Sequence, residues 1–419
     1  MKSPSVIVSF LIGLWVLPGI ALSQQKDPLA AVKSSVGLVG TNPVHCRITF
    51  HSNPATEAIL SWSTSEPGTS HRVHYDTISH GGNIEAYQFH KNSTRDGRFT
   101  NGAKADKDLK VYYHHTRLKQ LQPATTYYCV MESDSQASRE FHFRTGPNDD
   151  RKFGLIFGGD SRSGHANRQL VNQFMSKTFE GRPNILAMVH GGDYVATGNN
   201  LIQWALWLTH QQATTTKSGR LLPVIPVRGN HEGKHPQFNE VFDWPGGKQN
   251  NYYTVKIGSL VSLVVLNTET VAAGDQRKFL EATLGSNRTR QWQLASYHRP
   301  AFPAVKKPSH ALQHWVPLFD QFRLDLVLEA DGHVIKRTLP ILAGKQNPDG
   351  VVYVGEGGLG VKQRNPDPSR WFLQHPGMTS KGHHVYLLTI TKTRLLSQVL
   401  KVSNGQVLDT WLREPRRRN

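Results

Sequence analysis

Five apolar runs, Phe153 to Phe157, Ile185 to Val189, Leu221 to Val227, Trp292 to Ala295 and Leu324 to Leu328, each lead into a short polar stretch. Runs of this length bounded by Gly read as strands buried on both faces, the parallel type. Between them Leu170, Val171, Phe174, Met175 and Phe179 recur at helical spacing, as do Leu201, Trp204, Ala205 and Leu208. Strands alternating with helices predict a layered α/β domain. In such folds ligands bind outside the carboxyl ends of the strands. The stretches delivered there are Gly158-Gly159-Asp160-Ser161-Arg162, Gly191-Gly192-Asp193-Tyr194, Arg228-Gly229-Asn230-His231-Glu232, Tyr297-His298-Arg299-Pro300 and Glu329-Ala330-Asp331-Gly332-His333.

Taken singly, these stretches say little. A Gly-Asp pair is usually turn punctuation, and His298 or Asp331 alone reads equally well as a loop histidine or a turn aspartate. Three Asp, one Asn and two His on one rim read instead as the ligand set of a metal cluster. Hydrolysis of a phosphate ester needs charge neutralisation and a hydroxide near neutral pH, which two metal ions about 3.5–4 Å apart supply. Asp193 suits the bridge, because one carboxylate has two oxygens. Asp160 and His333 can bind one metal, and Asn230, His298 and Asp331 the other. Oxygen and imidazole ligation suits Fe, Zn or Mn without choosing among them. His231, adjacent to Asn230, faces the substrate in this reading and either hydrogen-bonds a phosphoryl oxygen or protonates the leaving group. Arg162 contacts phosphate through its planar fork, and Lys306 and Lys307 line the approach. His165, His310, His314, His383 and His384 lack a strand-end setting and read as surface or packing residues. Trp204 and Trp207 read as core.

A chain of 419 residues exceeds one ordinary core, so two domains are expected. Lys2 followed by the apolar run Val6 to Leu22 reads as a secretory signal over residues 1–23, cut near Ala21-Leu22-Ser23. The competing reading is an uncleaved anchor, which Pro18 and Gly19 interrupt. No later segment reaches the ~18 apolar residues that span a bilayer. Only Cys46 and Cys129 are present, which excludes a Cys-based metal site. In an exported chain they either pair or stay buried and free. The formal net charge of +18 favours anionic substrates, or retention on an anionic surface polymer. No nucleic-acid module is recognisable. Arg416, Arg417 and Arg418 read as a solvated tail.

From Gly37 to Thr145 the rhythm is different. Val44 to Phe50, Glu57 to Ser63, Arg72 to Tyr75, Val111 to Leu118, Thr126 to Glu132 and Arg139 to Arg144 are short alternating strands separated by turn residues. That spacing argues a small antiparallel sandwich. Trp62 belongs to its core, and Tyr127 or Tyr128 forms a corner tying a loop to backbone. His90 to Lys107 is polar and reads as an exposed loop. Asn92 and Asn287 open glycosylation triplets. Beyond the hinge at Gly146 to Asp150 and the α/β segment, Val351 to Val354, His384 to Thr391 and Leu395 to Val402 return to strand character and complete a sheet. Gly355 to Gly360 is a structural Gly-rich turn.

With these motifs the chain resembles the calcineurin-like metallophosphoesterases, specifically the purple-acid-phosphatase type. Tyr112-Tyr113-His114-His115-Thr116-Arg117-Leu118, Pro123-Ala124-Thr125-Thr126-Tyr127-Tyr128 and Phe141-His142-Phe143-Arg144-Thr145 are similar to the closing strands of that type's first domain. The resemblance implies a fibronectin-III-like domain over 35–147 and a phosphoesterase domain over 151–405, followed by a basic tail over 406–419. It also implies a dinuclear centre in a β-sandwich core flanked by helices. The family places a tyrosine three residues after the bridging aspartate, where this chain has Ala196, so a purple tyrosinate centre is not expected. Arg162 stands where many relatives place a histidine ligand. The family's last motif is Gly-His-x-His; aligned without a gap, Asp331 takes the place of its first histidine and His333 of its second. Arg337-Thr338 then falls in line, whereas the rival register leaves Ile335 as the second ligand.

These readings converge on an exported metal-dependent phosphoesterase hydrolysing small phosphomonoesters by metal-bound hydroxide. A phosphodiesterase or nucleotide hydrolase with the same centre is the enzymatic rival. A catalytically degenerate secreted binding protein is the other alternative.

Overall fold

The computed structural model describes residues 37–244 and 250–416. The expected signal at 1–23 lies outside these residues, as do Arg417 and Arg418. No helix among the described residues is long and apolar enough to cross a membrane.

Three of the five apolar runs become neighbouring parallel strands, Phe153–Gly158, Ile185–His190 and Val224–Pro226. The other two, Trp292–Ser296 and Leu326–Glu329, are parallel neighbours in a second sheet of seven strands. Parallel pairing puts the carboxyl ends of each set on one edge, and every residue of these five strands is buried. The two sheets face each other across a core that includes Leu155, Phe157, Val189, Ile225, Leu263, Leu294, Leu328 and Val354. Helices His165–Glu180 and Leu201–Gln211 cover one side of the sandwich, and Asp275–Ser286 and Val316–Gln321 the other.

His384–Ile390 and Leu395–Lys401 close the first sheet beside Phe153–Gly158, as their apolar rhythm predicts. Val407–Arg413 then adds an edge strand where a tail was expected. Only Arg413 in it is buried and its apolar residues do not alternate, so it lacks the pattern of a buried strand. Arg416 is not solvated either; it bonds the carbonyls of Arg323 and Leu324 at 2.8 and 2.6 Å and pairs with Asp325 at 3.2 Å. Tyr253–Ile257 and Val261–Val265, not among the expected strands, form the outer hairpin of the second sheet. Leu170, placed on the apolar helix face by spacing, is 57% exposed.

The N-terminal sandwich forms as its spacing predicts. Its first strand, Val44–Thr49, also runs parallel to Val224–Pro226, so one sheet of ten strands passes through both domains. Arg47 seals the junction by donating to the Val241 carbonyl at 2.9 and 3.0 Å. Trp62 is fully buried, and Tyr127 is the corner, its hydroxyl accepting from the Gln122 amide at 2.9 Å. The polar stretch after His90 is not a plain loop. Phe89–Asn92 and Arg95–Arg98 are edge strands on the two different sheets, largely exposed and so without an apolar alternation. Cys46 and Cys129 are both buried free thiols. Asn287 is buried and its amide bonds the Thr283 carbonyl at 2.7 Å, which removes it as a glycosylation acceptor; Asn92 is exposed.

Candidate metal centre

The five polar stretches meet where the two sheets present their carboxyl ends. The first two lock together through backbone, with Asp160 and Ser161 amides donating to the Gly192 and Asp193 carbonyls at 2.9 Å each. The second sheet joins them as the Asp331 amide donates to Asp160 Oδ2 at 2.9 Å and His298 Nδ1 meets the Gly191 carbonyl at 2.8 Å. A side chain on Gly192 would overlap the Gly229 backbone and His298, and one on Gly357 would overlap the Asp160 carboxylate. These two positions therefore need glycine for close approach.

Asp160, Asp193, Asp331 and His333 all hold left-handed backbone, with φ of 61°, 60°, 70° and 61°. Such conformations cost of the order of 1–3 kcal/mol each and persist where surroundings over-determine them. Here they aim side chains inward at the rim instead of along the strand.

The converging atoms fall into two groups joined by Asp193. On one side His333 Nε2 lies 3.3 Å from Asp160 Oδ1. On the other, His298 Nε2 lies 3.2 Å from Asp193 Oδ1, 3.1 Å from Asn230 Oδ1 and 3.6 Å from Asp331 Oδ1. Ligand atoms of Asp160, Asp193, His298 and Asp331 all lie within 4.8 Å of one another. Asp160 Oδ1, Asp193 Oδ2 and His333 Nε2 are buried without a hydrogen-bond partner. Buried polar atoms are rarely left so. Three carboxylates packed this tightly repel unless positive charge sits among them. Burial opposes a charge on His298, yet Asp193 and Asp331 together raise its pKa well above the ordinary histidine value. Burial opposes ionisation of Asp193 too, yet His298 and His231 hold it down to about 2. The cluster thus stabilises a cation, and its hard oxygen and imidazole donors fit the metals expected of such a set.

Around this core sit supporting groups, several of which sequence reasoning did not single out. Glu232 accepts from the Asp193, Tyr194 and Gly229 amides at 2.9, 2.8 and 2.9 Å, fixing the turn that carries Asp193. Burial, aided by Asp193, pushes its pKa up to about 7. Lys336, wholly buried, joins Glu329 and Glu356. Through the Phe302 carbonyl and the Ala301 and Ala304 amides this triad fixes the loop after His298. A lysine three residues past a histidine gives no sequence signal of that kind. Tyr194 turns away, stacked on His190 with its hydroxyl on the His190 carbonyl at 3.2 Å.

At the mouth stand the partly exposed groups. Arg162 Nε is 3.2 Å from Asp193 Oδ2, an ion pair out of line for a hydrogen bond. His231 Nε2 is 3.8 Å from the same oxygen, its backbone amide donates to Asp193 Oδ1 at 3.0 Å, and its Nδ1 meets the Ala196 carbonyl at 2.6 Å. Lys306 pairs with Asp331, whereas Lys307 points into solvent. The structure therefore assembles Asp160, Asp193, Asn230, His298, Asp331 and His333 in one pocket, with Arg162 and His231 at its opening.

Two family models match the chain. Residues 43–145 match the purple acid phosphatase N-terminal domain, and residues 162–335 match calcineurin-like phosphoesterase. An uncharacterized protein of Mycobacterium tuberculosis is 24% identical over 398 residues, covering 84% of this chain and 70% of its own length. Purple acid phosphatase 18 of Arabidopsis thaliana is 23% identical over 283 residues, 61% of each chain. Among solved structures, the purple acid phosphatase PPD1 from yellow lupin seeds has a TM-score of 0.74 at 18% identity, covering 89% of this chain and 74% of that one. PhoD has a TM-score of 0.65 at 12% identity, covering 90% of both. With both domain models matched in chain order and the fold shared with the lupin structure, the chain is a calcineurin-like metallophosphoesterase similar to the purple acid phosphatases, and so a phosphoric ester hydrolase.

Proposed function

We propose that this protein hydrolyses small phosphomonoesters at a two-metal centre. The observation that carries this reading is the set of buried atoms without a hydrogen-bond partner on Asp160, Asp193 and His333 beside the His298–Asn230–Asp331 group. Asp160 and His333 would hold one ion, Asn230, His298 and Asp331 the other, and Asp193 both. When bound, such a pair neutralises phosphoryl charge and acidifies water. The chain supplies the rest. His231 has Nδ1 against a carbonyl, so Nδ1 carries hydrogen and Nε2 is the atom that exchanges a proton with the departing ester oxygen. Arg162, with a side chain 19% exposed at the opening, offers N–H donors to a phosphoryl oxygen. Asp193 orients both of these groups.

The test is metal analysis of the purified protein with hydrolysis of p-nitrophenyl phosphate and its bis ester across added Mn, Zn and Fe. Faster turnover of the mono ester, with metal bound, is the expected result. Preference for the bis ester would make the protein a diesterase. Less than one metal per chain and no turnover with any metal would leave a binding protein in this fold. Export belongs to the same proposal and rests on Lys2 and the apolar run Val6 to Leu22; a secreted form beginning near Ser23 is expected by mass, and a cell-retained full-length form would refute it. The net charge of +18 supports retention on anionic surface polymers, readable as release by salt.

A further inference from the structure

Lys306 sits where a metal would need to bind. Lys306 Nζ is paired with Asp331 Oδ1, the same oxygen that lies 3.6 Å from His298 Nε2. A metal held jointly by that oxygen and that nitrogen would lie about 2 Å from each. An ammonium still bonded to the oxygen would then be about 4 Å from the ion, and like charges that close repel strongly in a partly dry site. Both cannot hold Asp331 Oδ1 in this geometry.

The surroundings decide which of them moves. Asp331 is fixed by backbone on both sides, its amide on Asp160 Oδ2 at 2.9 Å and its carbonyl on Arg364 Nη1 at 3.1 Å. The backbone around Lys306 is also pinned, since the Ala304 amide bonds Glu356 Oε1 at 2.7 Å and the Val305 carbonyl accepts from Arg370 Nη2 at 3.0 Å. The lysine side chain itself is 37% exposed, on a flexible four-carbon stem opening to the mouth. It can rotate away from Asp331 while the loop stays in place.

We propose that Lys306 is a resident counter-ion of the metal centre. It holds Asp331 Oδ1 until a metal displaces it, and once displaced it anchors the phosphoryl group of the substrate. This rests on the two-metal reading above and adds a consequence to it: the Asp331 half loads more weakly than the Asp160–His333 half, because loading must expel a lysine. It also gives the swung-out ammonium a ligand of matching charge at the mouth, between Arg162 and the metals.

The test is calorimetric titration of Mn²⁺ into chelator-stripped full-length protein, then of inorganic phosphate into the Mn-loaded form. In Lys306→Met the weaker Mn²⁺ step should tighten by about tenfold. Phosphate should weaken by about tenfold in the same variant. Lys306→Arg, which keeps the charge, should stay within about threefold of wild type in both. Equal Mn²⁺ affinity in wild type and Lys306→Met would overturn the displacement. Weaker Mn²⁺ binding in Lys306→Met would overturn it too, because the lysine would then be orienting Asp331. Unchanged phosphate affinity would remove its role toward substrate. Failure of the wild type itself to bind Mn²⁺ would bring down the two-metal reading along with this one; binding without a lysine effect removes this one alone.

Discussion

Among the described residues two clusters of His and Asp stand out, one in each domain, and they are built on opposite terms. In the N-terminal sandwich His71 and His114 stack with ring centroids 3.6 Å apart, beside Asp96. Every ring nitrogen there has a partner: His71 meets Ser133 Oγ at 2.9 Å and the Pro67 carbonyl at 2.8 Å. His114 meets Asp96 at 2.8 Å and Thr64 Oγ1 at 2.9 Å. At the sheet rim the same residue types leave three buried atoms without hydrogen-bond partners on left-handed backbone. Both combine buried His with Asp, although Asp96 is exposed where every member of the rim cluster is buried, so residue type alone does not separate them. Satisfaction of the donor atoms does. A satisfied cluster has its coordination used up by the fold, and an unsatisfied one holds capacity for something from outside.

The largest expected effect follows from the residue shared by both halves of the rim cluster. Asp193→Asn removes the bridging charge, and hydrolysis of p-nitrophenyl phosphate should fall by on the order of 10³-fold or more. Mn²⁺ should stabilise the wild type against heat but not this variant, since only a ligand bound to the folded state shifts its stability. Retained turnover would mean that the rim cluster is no more functional than the sandwich one. Next in size is His231→Ala. Loss of a positioned proton donor should lower kcat by about 10²-fold with metal content unchanged. A loss of metal in that variant would move His231 from proton transfer to ligation.

Much of this site was legible because its residues sit at the ends of apolar runs, and strand ends are visible in sequence. The six expected ligand residues come together for that reason. What sequence could not show is how separate elements meet. The Glu329–Lys336–Glu356 triad is made by residues whose proximity depends on the pairing of Ile335–Arg337 with Val352–Gly355. Asp331 was legible and its lysine partner was not, because Lys306 reaches it from the loop after another strand. The missed strands divide in the same way. Tyr253–Ile257 carries a period-two alternation of buried and less buried residues and was open to reading. Arg95–Arg98 is a polar edge, and Val407–Arg413 an edge with its apolar residues in no strict alternation, and only their partners reveal them as strands. The passage of one sheet through both domains rests on the register of Thr49 with Val224, two elements far apart in the chain.

The sandwich cluster supplies the control for these experiments. His114→Ala should leave metal content and turnover at wild-type levels and reduce folding stability by about 1–2 kcal/mol, chiefly because the buried Thr64 hydroxyl loses its bond to the ring. A drop in bound metal would show that the satisfied cluster also ligates, and the contrast between the two would be lost.

The smallest effect concerns protons, and it tests the contrast by sign. His298 is drawn toward its charged form by Asp193 and Asp331 despite burial. His45, on the first sandwich strand, goes the other way: burial and then Arg47 lower its pKa to about 3. Its unfolded value is near 6.5, so as pH falls below 6.5 the unfolded chain takes up a proton that the folded one refuses. The unfolded state then binds more protons, and stability declines as pH falls from about 6.5 toward 3. One refused proton contributes a slope of about 1.4 kcal/mol per pH unit. His45→Asn removes the titrating ring and suits the site, because His45 has φ of 57° and Asn tolerates left-handed backbone. Between pH 5.5 and 4.5, urea unfolding of this variant should lose less stability than wild type by about that amount. Parallel losses in the two proteins would mean that His45 takes its proton while folded, and that the sandwich does not hold its buried histidines neutral.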